Sequence, residues 1–204
     1  MKMIHVVVSR WRKSVTWVYS LLNITEVNVL VYDKENPDNL FNVPVNKGHE
    51  ASAYLRYILD YYDRLPNFTF FIQDDEYAWH HVGSVQEQFC HALNSGGEYY
   101  NINGNCPLGD FHRSAHKEAY LAWYADFIEP VVPRASLPAD WMTGERGCAQ
   151  FLVHRNRIHR FPKEFYQRLY DWLLTTEVPG NLPAVYLEWT WHVLWGDRKN
   201  AGSV

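Results

Sequence analysis

The chain has 204 residues, of which 47% are hydrophobic and 21% charged, and its formal net charge is −4. This composition supplies enough apolar side chains for one packed domain and excludes an intrinsically disordered chain. The acidic balance disfavours nucleic acid as a partner, because such binding depends on basic side chains that neutralise phosphates.

Targeting and cysteine content predict a soluble protein of the cytoplasm. No run approaches the roughly 18 apolar residues that a membrane-spanning helix needs, so we expect no transmembrane segment. The apolar run at residues 3–8 is too short for the core of a signal peptide. Cys90, Cys106 and Cys148 lack metal-ligand spacing, which favours reduced thiols and an intracellular location.

The first half of the chain predicts alternating strands and helices. Runs of apolar residues predict strands at 4–9, 27–32 and 68–73. Apolar spacing predicts a short helix at 14–22 and a longer one at 49–63. This order is typical of a parallel sheet with crossover helices, so we expect an α/β fold with a mostly parallel central sheet.

The second half is less regular. Its Gly, Pro, Asn and His content predicts long loops over residues 77–112, and a frayed tail is expected at 197–204. Helices are predicted at 114–128, 162–174 and 184–195, and a strand at 149–154. We therefore expect acceptor specificity to reside in this half.

Polar side chains follow all three predicted strands of the first half. These ends are Ser9-Arg10-Trp11, Asp33-Lys34, and the acidic cluster Asp74-Asp75-Glu76. Parallel strands bring their carboxyl ends to one edge, where ligands of open α/β sheets bind. Clustered acids repel one another unless a cation lies among them, and Mg²⁺ or Mn²⁺ prefers oxygen ligands. A solvated loop start is the alternative interpretation.

Further candidates precede or lie on predicted helices. Lys47 and Glu50 flank the start of the helix at 49–63, where an anion site and plain helix capping are both compatible with the residues. Glu188 and His192 lie four residues apart on the predicted last helix, so they could supply a base and a metal ligand, or form a surface pair. Asp33 suits a nucleoside contact or a turn.

Four segments together resemble a known group of proteins. They are Gly48-His-Glu-Ala-Ser-Ala-Tyr-Leu-Arg-Tyr-Ile58, Phe71-Ile-Gln-Asp-Asp-Glu76, Ala149-Gln-Phe-Leu-Val153 and Glu188-Trp-Thr-Trp-His192. The chain resembles, over roughly residues 4–196, a domain family of fungi, plants and algae. That family is similar to the N-terminal glycosyltransferase domain of a multi-domain chlorella-virus protein.

The resemblance implies a small GT-A-like fold in a single domain, 1–204. Residues 1–76 would form a Rossmann-like nucleotide-sugar-binding half, and residues 77–196 the acceptor half. It implies a hexosyltransferase-type enzyme of glycan synthesis that uses a nucleotide sugar, most simply a UDP-sugar, a glycan acceptor, and Mn²⁺ or Mg²⁺. It also leaves open that the chain is part of a longer multi-domain protein.

The resemblance also implies roles for the candidate residues. Asp75 would hold the metal and act in catalysis, Asp74 would lie near the ribose and metal, and His192 would be a further metal ligand. Glu188 would be the base if the reaction inverts the anomeric centre, and a retaining reaction is the alternative. The donor-binding set would be Ser9, Arg10, Trp11, Asp33, Lys47, Glu50 and Asp74. The GT-A motif is usually acid–any–acid, whereas Asp74-Asp75-Glu76 is continuous, which leaves open which acid binds the metal.

Two other functions fit parts of the same pattern. A metal-dependent phosphoesterase could use the acids to activate water. A non-catalytic carbohydrate-binding module would account for the 9 Trp and 14 Tyr residues as sugar-contacting surfaces.

Overall fold

The structure, a computed structural model, describes residues 4–36, 38–104, 115–137, 141 and 147–196. Its centre is a sheet of five strands in the order β2-β1-β3-β5-β4. The strands are β1 (Ile4–Arg10), β2 (Val27–Asp33), β3 (Phe68–Gln73), β4 (Tyr99–Asn101) and β5 (Phe151–His154). The predicted strands of the first half are confirmed, within a residue at each end.

The sheet is mixed rather than mostly parallel. β1 pairs in parallel with β2 and with β3, as the sequence predicts. β5 runs antiparallel to both β3 and β4. The α/β class and the flanking helices are thus confirmed, while the parallel arrangement holds for the β2-β1-β3 unit only.

Seven α-helices lie in the described ranges. They are α1 (His49–Tyr61), α2 (Val85–Asn94), α3 (Lys117–Phe127), α4 (Arg155–Ile158), α5 (Lys163–Thr175), α6 (Leu182–Glu188) and α7 (Trp191–Trp195). The helix predicted at 14–22 is a 3-10 helix, Thr16–Asn23.

Helices cover both faces of the sheet. Val7 and Phe71 point to the face covered by α1, α3, α5, α6 and α7. Val6 and Phe70 point to the other face, which is covered by the 3-10 helix and α2. The chain therefore leaves β1 on one face and returns to β3 over the other. The carboxyl ends of β1 and β3, where the connections change face, are the usual ligand position in open α/β sheets.

The prediction that residues 77–112 form only long loops was wrong. The segment contains α2 and the short strand β4. The Ser84 side chain accepts from the Glu87 N–H, and the Glu87 carboxylate accepts from the Ser84 N–H. This capping box starts α2, and its Ser-x-x-Glu spacing is visible in the sequence.

The single helix predicted at 184–195 is two helices, α6 and α7. The Thr190 hydroxyl donates to the Tyr186 carbonyl at 2.6 Å, and the Thr190 N–H donates to the Leu187 carbonyl at 2.8 Å. These bonds replace the regular helical pattern with a tighter turn. Glu188 and His192 consequently lie on different helices, and the shared helix face expected from their spacing is absent.

The cysteines differ in state. Cys90 is free, and Cys148 is disulfide-bonded, contrary to the expectation of reduced thiols. Disulfides persist mainly in oxidising compartments, so a cytoplasmic location stays a prediction without support from the cysteines. Cys106 and the predicted tail at 197–204 lie outside the described residues. Among the helices in the described ranges, none has the length and apolar content to cross a membrane.

Candidate functional site

An ion pair links the carboxyl ends of β1 and β2. Arg10 Nη1 donates to Asp33 Oδ2 at 2.5 Å, and Arg10 Nη2 lies 3.5 Å from Glu35 Oε2. The other Asp33 oxygen accepts from the Glu35 N–H at 2.9 Å, and the Asp33 side chain is largely buried. The contact with Asp33 holds Arg10 at the edge of the sheet. The Arg10 guanidinium keeps further N–H groups that can bind an anion.

The acidic cluster splits between two partners. Asp74 Oδ2 accepts from the Trp11 N–H at 2.7 Å, which ties β3 to the end of β1. The two Asp75 carboxylate oxygens lie 2.7 and 2.6 Å from Lys13 Nζ, a bond that raises the pKa of Lys13. Strand alternation predicts this separation of the two acids.

Lys34, predicted at the polar end of the second strand, is a cation to which the sequence assigns no role. Its ammonium donates to the His49 carbonyl at 2.6 Å, at the start of α1. Burial lowers the pKa of Lys34, and the nearby charges of Glu50 and Asp74 oppose that shift. Gly48 and His49 both have positive φ, at 72° and 47°, so the chain turns sharply here. The position directly after the end of β2 is the sequence signal that could have identified Lys34.

Two carboxyl groups meet beside this turn. Glu50 lies in the first turn of α1 and is only 5% exposed, and Glu188 ends α6 and is partly exposed. Burial, followed by the charge of Glu50 and a hydrogen bond with it, raises the pKa of Glu188 to about 8. This shift favours the protonated form of Glu188 near neutral pH. The sequence places Glu50 with Lys47 at a helix start and Glu188 with His192 on the last helix, and it does not predict their contact.

A buried polar network supports Glu50. Gln73 Nε2 donates to Glu50 Oε2 at 3.2 Å, and Gln73 Oε1 lies 3.2 Å from His80 Nε2. His80 Nδ1 lies 3.5 Å from Gln150 Nε2. The Oε1 atom of Gln150 accepts from the Gln73 N–H at 3.1 Å. Burial lowers the pKa of His80 to about 4, so the imidazole is neutral. Gln73 and Gln150 were not predicted, because amides at strand ends carry no distinctive pattern.

Two predicted residues lie elsewhere. The Lys47 ammonium donates to the Leu174 carbonyl at 3.2 Å and to the Thr176 carbonyl, so it caps the end of α5. His192 Nε2 lies 3.0 Å from the Trp141 carbonyl, and burial lowers the pKa of His192 to about 4. Neither side chain joins the residues at the sheet edge.

The remaining predicted residues line β1. Ser9 is buried in the ladder between Tyr32 and Gln73. The Trp11 backbone N–H donates to Asp74. The Arg12 guanidinium lies over the Trp11 ring, 4.7 Å from the ring centroid. Ser9 is therefore a buried residue of the sheet, one position before Arg10.

The loop after β3 exposes large aromatic side chains. Tyr77 is 68% exposed and Trp79 is 75% exposed, close in sequence to the acidic cluster. Both rings follow shortly after the end of β3 in the chain and present apolar surface to solvent.

The residues do not form a self-contained metal cage. In the part of the chain that the structure describes, no three His, Cys, Asp or Glu side chains lie close enough to hold a metal ion among themselves. The predicted set of Asp74, Asp75 and His192 is therefore not assembled. Asp74 and Asp75 alone remain as candidate ligands.

Comparison with known proteins identifies the family. No curated protein sequence and no solved structure matches the chain. A family model described as "Protein of unknown function (DUF3431)" matches residues 6–203. The match covers nearly the whole chain, and the protein belongs to this family.

Proposed function

We propose that the protein is a metal-dependent glycosyltransferase that moves a sugar from a nucleotide-sugar donor, of the UDP-sugar type, to a hydroxyl acceptor in glycan synthesis. The observation that carries the proposal is the meeting of three kinds of group at one sheet edge. Cationic side chains, acids tied to strand ends and a neutral carboxylic acid all lie where α/β sheets bind ligands.

The cations suit a donor with a diphosphate. Arg10 has N–H groups left after its contact with Asp33, and Lys34 lies near Glu50 and Asp74. Guanidinium and ammonium groups bind phosphate oxygens strongly in a partly buried site. Asp33 and Asp74 supply acceptors for ribose hydroxyl groups, in line with the sequence prediction.

The residues fit a divalent metal only in part. Mg²⁺ is commonly held by one or two carboxylates together with substrate phosphates, which Asp74 and Asp75 can provide without a third side chain. His192 is not in a position to contribute. A bound Mn²⁺ or Mg²⁺ would neutralise the leaving diphosphate. Asp75 must first give up its contact with Lys13, which is a surface pair of low energy.

The chemistry needs an acceptor-side base, and a carboxyl group of the Glu50–Glu188 pair is our candidate. Such a group contributes typically 10²- to 10⁴-fold to the rate when it removes the proton of a hydroxyl. Glu188, being partly exposed, is the member that an acceptor can reach.

A thermal-shift panel of nucleotides and nucleotide sugars, with and without Mn²⁺, tests donor binding. A ligand at about 100 times its Kd should stabilise the protein by about 2.7 kcal/mol. Asp75→Asn should remove the metal-dependent part of the shift, whereas Asp38→Asn, in the exposed loop after β2, should not. A binder should then release its nucleoside diphosphate only when an acceptor is added. The proposal fails if no nucleotide sugar gives a metal-dependent shift.

A carbohydrate-binding module is the second candidate, favoured by the exposed rings of Tyr77 and Trp79. It predicts sugar binding without a metal that survives Asp75→Asn and is lost on Trp79→Ala. Measuring the binding of glycan oligomers to both variants separates the two functions.

A further inference from the structure

One oxygen of Glu50 has no donor among the described residues. Glu50 Oε1 is fully buried and lacks a hydrogen-bond partner, whereas Glu50 Oε2 accepts from Gln73. A buried carboxylate oxygen without a donor is unfavourable, so a partner is expected. Glu188 forms a side-chain hydrogen bond with Glu50, and two carboxyl groups can form such a bond only when one of them carries a proton.

The helix ends place the proton on Glu188. Glu50 lies in the first turn of α1, where the helix dipole favours a negative charge. Glu188 is the last residue of α6, where the dipole disfavours one. Gln73 Nε2 donates to Glu50 Oε2, so this oxygen already acts as an acceptor. The two helix positions and the one hydrogen bond therefore favour Glu188 over Glu50 as the residue that carries the proton.

The network around Glu50 runs in one hydrogen-bond direction. A neutral His80 with its proton on Nε2 donates to Gln73 Oε1 and accepts at Nδ1 from Gln150. With Gln73 Oε1 facing His80, the Gln73 Nε2 group faces Glu50 and donates to it. The amide cannot reverse without losing the contact with His80, so the orientation of Glu50 is fixed.

We propose that Glu50 and Glu188 share one proton and act as a two-carboxyl relay for the proton of the acceptor hydroxyl. This role rests on the proposed transferase function. The acceptor O–H gives its proton to Glu188 while the proton of Glu188 moves to Glu50 Oε1. The acceptor oxygen forms a bond to the anomeric carbon with its electron pair. The bond from that carbon to the diphosphate breaks, and its electron pair leaves with the diphosphate. The second proton then passes from the pair to water.

Other charged groups around the pair do not remove the need for the proton. The Lys34 ammonium interacts electrostatically with Glu50 and Asp74, and it donates a hydrogen bond to the His49 carbonyl. The Tyr54 hydroxyl donates to the Ala149 carbonyl at 2.8 Å, and burial, followed by the charges of Glu50, Glu188 and Asp74, raises the pKa of Tyr54. Tyr54 is thus a neutral phenol near the pair, with its proton directed away from it.

Infrared spectroscopy of the C=O stretch of protonated carboxyl groups tests the shared proton directly. The wild-type protein should show this band at pH 7 and lose it above about pH 8. Glu188→Gln should lack the band. Glu50→Gln should keep it with a titration midpoint lower by about 1 pH unit or more, because the like charge is gone. Glu164→Gln, which removes an exposed first-turn carboxylate from α5, should match the wild type.

Two spectroscopic results would overturn the shared proton. One is the absence of the band from the wild type at pH 7. The other is an unchanged midpoint in Glu50→Gln, which would mean that burial alone protonates Glu188. If Glu50→Gln does not fold, Glu188→Gln still decides, because a band that persists in that variant at pH 7 rules the proposal out.

Kinetics test the relay. With a working donor, each single Gln variant should lower kcat about 100-fold or more with KM for the donor nearly unchanged, and the double variant should fall no further. Multiplicative losses in the double variant would contradict a relay. If no donor is turned over but the infrared band behaves as expected, the transferase function and the relay role fall, while the shared proton stands.

Discussion

Replacing Glu188 with Gln should change how the stability of the fold depends on pH. The native carboxyl group keeps its proton to about pH 8, whereas the same group in the unfolded chain has a pKa of 4.5. A carboxyl group with a raised native pKa stabilises the fold below the unfolded pKa. It loses that contribution as pH rises through the native pKa. The relevant window is therefore pH 4.5 to 8.

The magnitude follows from these two pKa values. Each pH unit within the window changes the free energy of unfolding by about 1.4 kcal/mol. Between pH 6 and pH 9 the loss amounts to about 2.6 kcal/mol in the wild type. Gln does not titrate, so Glu188→Gln should lack this loss and should be the relatively more stable protein at pH 9.

Urea unfolding followed by tryptophan fluorescence provides the assay. Both proteins are measured at pH 6 and pH 9, and the difference between them cancels the contribution of every group that titrates alike in both. The buried histidines His5, His80 and His192 are cancelled in this way. A pH dependence that differs between the two proteins by less than about 0.5 kcal/mol would refute a neutral Glu188 at pH 7.

Three further substitutions test the fold and the edge. Gly48→Ala should lower the free energy of unfolding by more than about 1 kcal/mol, because φ is +72° and the new Cβ would lie 2.5 Å from Leu173 Cδ1; urea unfolding would show it. Ser84→Ala should cost about 1 kcal/mol by removing the cap of α2, and an unchanged urea midpoint would contradict that role. Arg10→Met should weaken binding of a nucleoside diphosphate about tenfold or more by calorimetry, and equal affinity would exclude Arg10 from the donor site.

The strands and helices of the first half could be predicted because each has its own local pattern. The apolar run at 68–73 and the spacing of apolar residues from 49 onwards need no knowledge of the rest of the chain. Parallel pairing then brings Arg10, Asp33 and Asp74 to one edge. Strand direction in the second half could not be read in this way, because β5 follows irregular segments that set no crossover.

The pairing of Glu50 with Glu188 could not be predicted for a different reason. Each glutamate has an ordinary local explanation, a helix-start acid and a helix-end acid, and nothing near either residue indicates the other. Their contact depends on how α6 packs against α1. The break at Thr190 could not be predicted either. A threonine in a helix can donate its hydroxyl to a carbonyl of the preceding turn or leave it exposed, and the sequence does not show which of the two occurs.

The position of β5 in the sheet has a consequence for how the chain folds as it is synthesised. Among the described strands, β4 pairs only with β5, and β3 has β5 as its neighbour on the side away from β1. Until residue 154 has left the ribosome, the backbone edge of β3 that pairs with β5 is uncovered. This edge belongs to an apolar strand that contains Phe68, Phe70 and Phe71. Uncovered edges of this kind promote pairing between chains. Nascent chains that end before β5 should therefore be the species most prone to aggregate and to need a chaperone.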